Sequence, residues 1–130
     1  MRKNEQLVRD AMQIIWNECD VSRVGEFYSS DFEADYPHTD WGTGLEGVCA
    51  LAIQVHNDLP GYTENIEQLI DAGDKIIVVL SITGSHPESG DEISFRDVTV
   101  LTIKDDKIIS QQGVGDLLTL YLKLGMINLP

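Results

Sequence analysis

A carboxylate stands in an apolar stretch near the end of the sequence. Asp116 lies within residues 113–118, where its neighbours are glycine, valine and leucine. Burial against apolar groups disfavours the charged form of a carboxyl group, so its pKa rises towards the range of a general base. On a regular strand, Asp116 shares a face with Ile108, Gln112 and Val114. The alternative is that Asp116 caps the closing helix, and the two roles are compatible.

A histidine follows the most apolar strand of the sequence. His86 is in phase with Ile76, Val78, Leu80 and Ile82, so it points to the same face if the strand extends that far. A neutral imidazole at the end of a sheet could donate a hydrogen bond to a substrate carbonyl or transfer a proton. The alternative is an exposed loop histidine beside a proline.

A second set of candidates lies before the third predicted helix. His38 and Trp41 form a polar and aromatic cluster with Asp40, which could surround the mouth of a pocket. The cluster could equally be a structured loop that one tryptophan anchors. We predict that the residues that contact substrate are Tyr36, His38, Trp41, Val55 and Gln112.

Other acids and histidines carry weaker signals. We interpret Asp58, Glu64 and Glu67 as solvated charges. Arg96 and Asp97 are adjacent in a strand, so they face opposite sides and one of them faces solvent.

Metal and cofactor chemistry have little support in the sequence. The metal alternative would use His38, Asp40, His56 and His86, but no histidine pair has the i, i+4 spacing of a helical site. The sequence also has no Cys-x-x-Cys pair, no phosphate loop, no dinucleotide fingerprint and no nucleophile elbow. We therefore expect neither a metal nor a cofactor.

Composition limits the partners and the compartment. The chain has 130 residues and a net charge of −13, which predicts one domain over residues 1–130. The negative electrostatic potential that this charge produces repels nucleic acids and anionic membrane surfaces. No apolar stretch has the length of a membrane span. The two cysteines, Cys19 and Cys49, form no disulfide framework, so we expect a reducing cytoplasm.

The periodicity of apolar residues changes once along the chain. A helical period predicts a helix at residues 4–18, a short one from Ser22 and a third that starts near residue 43 and stops before Pro60. Residues 29–42 are polar and turn-prone. Alternation then predicts strands at 62–71, 76–83, 93–103 and 107–114, before a closing helix that ends at Gly125. Helices segregated from antiparallel strands indicate an α+β fold with a pocket between the two layers.

Short segments in this order and spacing resemble the SnoaL-like polyketide cyclases, also called ester cyclases, of the nuclear-transport-factor-2-like superfamily. The resemblance extends from about residue 5 to residue 125. The segments that carry it are residues 27–32, 44–47, 71–76, 83–86, 106–108, 116–118 and 123–125.

The resemblance implies a cone-shaped, curved antiparallel or mixed sheet wrapped around N-terminal helices. It also implies cofactor-free ring closure by intramolecular aldol condensation of a carbonyl-bearing, apolar small molecule. The family's catalytic acid/base corresponds in position to Asp116, and its pocket histidine to His86. Gln112 stands where the family usually has tryptophan, which implies a more polar pocket. Relatives with this fold usually pair through the sheet, so the resemblance also implies a homodimer.

Three alternatives remain open on the sequence. An epoxide-hydrolase-like relative would need an Asp–Arg–Asp relay, of which Arg96 and Asp116 could supply two members. A double-bond isomerase would need pocket acids, and the sequence does not make them evident. A non-catalytic module that binds a small ligand or only dimerises would need none of these groups.

Overall fold

The computed structural model describes residues 3–37 and 39–130. The described residues begin with helix α1, which continues directly as a π-helical segment, and a 3-10 helix follows it. This arrangement confirms the first two predicted helices, and the apolar side of α1 is buried at Val8 and Ala11. No described helix has both the length and the apolar character needed to span a membrane. The helical segments are α1 (Lys3–Ala11), the π-helix (Met12–Asn17), the 3-10 helix (Val21–Glu26), α2 (Gly44–Asp58) and α3 (Leu117–Leu124).

Five strands of the described residues form one open, mixed sheet in the order β1-β5-β4-β3-β2. β1 runs parallel to β5, and the other neighbouring pairs are antiparallel. The four strands predicted in the second half of the chain are confirmed, and the fold is α+β. The strands are β1 (Tyr28–Asp35), β2 (Thr63–Asp71), β3 (Lys75–Ser85), β4 (Glu92–Lys104) and β5 (Lys107–Gly115).

The strand β1 corrects the expectation of a turn-prone segment at residues 29–42. Its sequence is polar because it is an edge strand, and only Tyr28 and Phe32 are fully buried. Backbone pairing with β5 holds the strand, so the exposed serines and acids between these aromatics do not disrupt it. The polar composition of this segment therefore did not predict a strand, because β5, a distant part of the chain, stabilises it.

The inner face of the sheet forms the core with the helices. On β3, Ile76, Val78, Leu80 and Ile82 alternate inward, as the sequence predicts. The residues of β4 that lie opposite them in the sheet are also buried, except that Asp97 is only partly buried. This face is both the wall of the core and the floor of a cavity.

A β-bulge in β5 changes which side chains face inward. Thr102 pairs with Ser110, but the next residue of β4 pairs with Ile108, so Ile109 is an extra residue. Beyond the bulge, Gln111 is buried and Gln112 is exposed. The prediction that Gln112, Val114 and Asp116 share a face with Ile108 is therefore wrong, because a single extra residue inverts the phase of a strand.

Gly113 lets an aromatic ring lie directly on β5. A Cβ atom at this position would lie 2.9 Å from the ring of Tyr36 and 2.5 Å from the carbonyl oxygen of Val98. The missing side chain thus allows the Tyr36 hydroxyl to reach Thr99 on β4, at 2.6 Å from its Oγ1 atom.

We expect Gly113→Ala to destabilise the protein by about 1–3 kcal/mol, because the added methyl group has no space beside the sheet. Urea unfolding followed by circular dichroism measures the change. Gly25→Ala is the matched control, since its Cβ would make only an ordinary contact of 3.9 Å with Leu45. Equal unfolding midpoints for Gly113→Ala and Gly25→Ala would contradict the packing argument.

Candidate functional site

A cavity of about 620 Å³ lies between the inner face of the sheet and helices α2 and α3. Apolar and aromatic side chains line most of it, and a few polar groups converge inside, which is typical of small-molecule sites. The aromatic and aliphatic lining includes Trp16, Trp41, Leu51, Val55, Leu59, Leu80, Ile82, Phe95, Leu117, Leu120, Tyr121 and Leu124; the polar lining includes Tyr36, Gln54, Asp58, Tyr62, Glu64, His86, Glu88, Asp97 and Gln111.

Two carboxyl groups enter the cavity from strands on either side of β3. Glu64 pairs with Ile82 across β2 and β3, and Asp97 pairs with Leu80 across β3 and β4. Both acids therefore share the inward phase of β3. The Tyr62 hydroxyl donates a hydrogen bond of 2.6 Å to Glu64 Oε2. Asp97 Oδ1 is buried and has no hydrogen-bond partner among the described residues.

The surroundings of these two acids keep protons on them at unusually high pH. Burial is the main cause that raises the pKa of Glu64 to about 7, and the nearby Asp97 charge raises it further. The hydrogen bond from Tyr62 opposes part of that rise. Burial alone raises the pKa of Asp97 to about 6. Near neutral pH, the cavity therefore holds an ionised Asp97 on β4 and a partly protonated Glu64 on β2.

An aromatic wall closes one side of the cavity. Trp41 stacks on Tyr36 with ring centroids 5.0 Å apart and also meets the edge of Trp16 at 5.4 Å. Gly47 of α2 makes this arrangement possible, because a Cβ atom there would overlap the Trp41 carbonyl. The structure thus places three predicted substrate contacts, Tyr36, Trp41 and Val55, in the cavity lining.

A hydrogen-bond chain fixes the polar end of this wall. Thr99 Oγ1 donates to the backbone carbonyl of Gln112 at 3.2 Å, so it accepts from the Tyr36 hydroxyl at 2.6 Å. The Tyr36 oxygen in turn accepts a hydrogen bond of 3.0 Å from Nε2 of Gln111. This order turns the amide oxygen of Gln111 away from Tyr36.

His86 lines the cavity at the end of β3, in the phase that the sequence predicts. Its Nδ1 atom accepts hydrogen bonds from the backbone N–H groups of Glu88 and Ser89, at 3.0 and 3.2 Å. Its Nε2 atom therefore carries the proton and donates to the carbonyl oxygen of Leu124 at 3.2 Å. These hydrogen bonds fasten the β3–β4 loop to the end of α3. This geometry favours a positioning role over the predicted catalytic one.

Asp116, the predicted acid/base, is exposed outside the cavity. It is the N-cap of α3 and accepts from the backbone N–H of Thr119 at 3.1 Å and from its hydroxyl at 2.6 Å. These hydrogen bonds hold the pKa of Asp116 below its usual range. The structure therefore favours the helix cap, which the sequence left as the alternative.

The remaining predicted site residues fall outside the cavity or outside the described chain. The bulge places Gln112 on the exposed outer face of the sheet, and Gln111 lines the cavity in its stead. His38 lies outside the described residues. Arg96 also points outward, where its Nε atom pairs with Glu67 Oε2 at 3.2 Å.

Glu64 and Asp97 are the acids that the sequence analysis missed as site residues. Glu64 is not the solvated charge that we predicted, because its side chain shares the inward phase of Tyr62 and Ile66. Asp97 is the inward member of its pair with Arg96 and alternates with buried Phe95 and Thr99. The sequence signal that could have identified both acids is their position in the strands, because each one shares a face with buried apolar neighbours.

Several solved structures that share this architecture have names that contain the words polyketide cyclase. A candidate polyketide cyclase from Bacillus cereus is 28% identical, with a TM-score of 0.80 over 88% of this chain and 75% of that one. A candidate polyketide cyclase from Acidithiobacillus ferrooxidans is 16% identical, with a TM-score of 0.88 over 98% of this chain and 97% of its own. A SnoaL-like polyketide cyclase from Agrobacterium tumefaciens is 18% identical, with a TM-score of 0.77 over 96% and 100% of the two chains.

Sequence comparison agrees with the structural likeness. No curated protein matches this chain significantly. The family model of the SnoaL-like polyketide cyclases matches residues 6–124, and so it includes all five strands, α2, α3 and both cavity acids. Because this match covers nearly the whole sequence, the chain belongs to the SnoaL-like polyketide cyclase family.

Proposed function

We propose that this protein is a cofactor-free enzyme of the cyclase or isomerase type, which removes a proton from the carbon next to a carbonyl group. Asp97 is the general base and Glu64 is the general acid. The observation that carries the proposal is the pair of carboxyl groups in one largely apolar cavity, with pKa values raised to about 6 and about 7. Two acids whose pKa values differ in this way can divide acid and base roles.

The reaction follows from the protonation states. Ionised Asp97 accepts the proton from the α-carbon while protonated Glu64 donates its proton to the carbonyl oxygen, which yields an enol. In ring closure, the enol carbon attacks a second carbonyl of the same molecule, Glu64 regains its proton from the first oxygen, and Asp97 delivers its proton to the new alkoxide. In isomerisation, Asp97 returns its proton to a different carbon while Glu64 regains its proton from the enol oxygen. General acid–base catalysis of this kind contributes about 10²–10⁴-fold to the rate.

The cavity walls support the binding of one flat, mostly apolar molecule. Trp41 and Tyr36 offer a stacked surface, and Val55 lies on the helical side. Holding a flexible substrate in a folded conformation contributes further to the rate of an intramolecular reaction. His86 contributes by fixing α3, which supplies Leu117, Leu120 and Leu124 to the lining.

The alternatives fit the geometry less well. An epoxide-hydrolase relay needs an arginine beside its acids, but no lysine or arginine lines the cavity in the described part of the chain. A non-catalytic binding module would not require two carboxyl groups in an apolar cavity, where burial of their charges is unfavourable. This alternative becomes the better interpretation if neither acid affects a reaction.

We also propose that two copies of the chain pair through the outer face of the sheet. Val79, Val98 and Val114 lie side by side on three neighbouring strands of this face. Val98 is 45% exposed and Val114 is 64% exposed. A sheet face with a continuous apolar row is a typical interface.

A reducing compartment, the cytoplasm, is the setting that we propose. Cys19 and Cys49 are both free thiols. Cys49 Sγ contacts the backbone carbonyl of Val21 at 3.6 Å, and burial raises the pKa of its thiol, which keeps it protonated.

The proposed acid and base should titrate at different pH values from Asp116. Carboxyl-carbon NMR should show Asp97 near pH 6 and Glu64 near pH 7, whereas Asp116 titrates below the usual range of an aspartate. Asp97→Asn should lower the pKa of Glu64, because it removes a neighbouring negative charge. Titration of both cavity acids near pH 4 would contradict the proposal.

Catalysis should depend on the cavity acids and be indifferent to Asp116. We expect wild-type protein in D₂O to exchange the α-protons of flat bicyclic ketones such as tetralones, measured by proton NMR. Asp97→Asn should slow the exchange at least about 100-fold, whereas Asp116→Asn should retain it. The rate should be highest between pH 6 and pH 7, since Asp97 must be ionised and Glu64 protonated.

Two outcomes would overturn the assignment. Loss of exchange in Asp116→Asn with retention in Asp97→Asn would return the catalytic role to Asp116. Ketones that bind without any exchange above the buffer rate would favour the non-catalytic module.

Pairing through the outer face predicts that Val98→Lys produces monomers, because a charge would be buried in the interface. Sedimentation velocity measures the mass of each species. Ile53→Lys is the matched control, since Ile53 is equally exposed at 45% but lies on α2. A wild-type monomer, or a Val98→Lys variant that stays dimeric, would contradict this interface.

A further inference from the structure

We propose that the cavity recognises an uncharged ligand by a hydrogen-bond donor, and that the amide oxygen of Gln111 is the acceptor that selects it. The inference rests on the proposed function for the location of the site, and it adds the substrate class. It makes Gln111 a specificity-determining residue next to the aromatic wall.

The first step is the orientation of the amide. Because the Thr99 hydroxyl donates to a backbone carbonyl, Tyr36 must donate to Thr99 and can only accept from Gln111. The nitrogen of the Gln111 amide is therefore the group that faces Tyr36. Its oxygen is fixed in the opposite direction by three linked hydrogen bonds.

The second step is the burial of that oxygen. Gln111 is only 7% exposed, and its side chain lines the cavity. Its Oε1 atom is buried and finds no hydrogen-bond partner in the part of the chain that the structure describes. A buried acceptor without a partner is unfavourable, and a ligand that supplies an O–H or N–H group removes this penalty.

The third step is the polarity of the cavity as a whole. The unpartnered buried side-chain atoms of its described lining are both oxygens, Asp97 Oδ1 and Gln111 Oε1. The charged groups of this lining are all acids, namely Asp58, Glu64, Glu88 and Asp97. Such a site repels carboxylates and phosphates, and its unpartnered acceptor oxygens favour neutral ligands that carry a donor group.

Tetralones provide a matched set of probes. The 5-, 6- and 7-hydroxy-1-tetralones present an O–H donor at three positions, the amino analogues present N–H, and the methoxy analogues present neither. Tetralone carboxylic acids with the same substitution add a negative charge. Isothermal titration calorimetry or ligand-observed NMR gives the dissociation constants without any turnover.

We expect at least one hydroxy or amino isomer to bind wild-type protein about 5–100-fold more tightly than its methoxy partner, and the carboxylic acids to bind most weakly. Comparison of the hydroxy and amino series shows whether the donor is O–H or N–H. In Gln111→Met, the preference for a donor should fall to within about twofold. Gln112→Met is the control, because the neighbouring side chain is exposed on the outer face.

A further variant protects the test against misfolding. Gln111→Glu retains acceptor oxygens, so it should preserve the preference for a donor even if Gln111→Met unfolds. The proposal is overturned if no isomer shows a preference for a donor, if the preference persists in Gln111→Met, or if Gln112→Met abolishes it. Donor preference in a protein without ketone exchange would overturn only the catalytic proposal, since binding is measured independently.

Discussion

One extra residue in β5 determines which side chains meet in the cavity. The bulge at Ile109 shifts the pairing between β4 and β5 by one residue. As a result, the alternation of inward-facing and outward-facing side chains along β5 is inverted after the bulge. Gln111 and Gly113 turn inward as a result. Without the shift, the wider Gln112 and Val114 side chains would occupy the surface on which Tyr36 lies, and the donor chain from Gln111 to Thr99 could not form.

The cavity depends equally on close contacts between backbone and aromatic rings. Tyr36 and Trp41 lie outside the helices and strands, between β1 and α2, yet their rings are stacked at a centroid distance of 5.0 Å. Gly113 leaves space for the first ring and Gly47 leaves space for the backbone of the second. These two glycines, in distant parts of the sequence, turn a loop into a defined wall of the site.

Burial gives the two cavity acids different chemical characters. Glu64 has a hydrogen-bond partner in Tyr62, whereas Asp97 Oδ1 has none in the described structure. The apolar lining is unfavourable for both charges, and the nearby Asp97 charge further raises the pKa of Glu64. The same low polarity that disfavours ionisation strengthens every electrostatic interaction with a bound carbonyl compound. The acid and base that we propose therefore lie in a different place from Asp116, the residue that the family resemblance implied.

Local sequence patterns were sufficient to predict the elements whose residues interact mainly with near neighbours in the chain. Alternation along β3 and β4 and the helical period of α1 predicted those elements, and Gly125, at a φ of 75°, ends α3 as expected. The sequence also placed His86, Trp41 and Val55 near a common pocket, because their strand, loop and helix were correctly located. Long-range pairing and packing established that β1 is a strand, that Gln111 replaces Gln112 in the cavity, and that Glu64 is half-buried in the cavity lining while Asp116 is exposed. Each of these outcomes depends on pairing or packing with a distant segment, and a local pattern contains no information about a bulge or about which neighbour covers a carboxyl group.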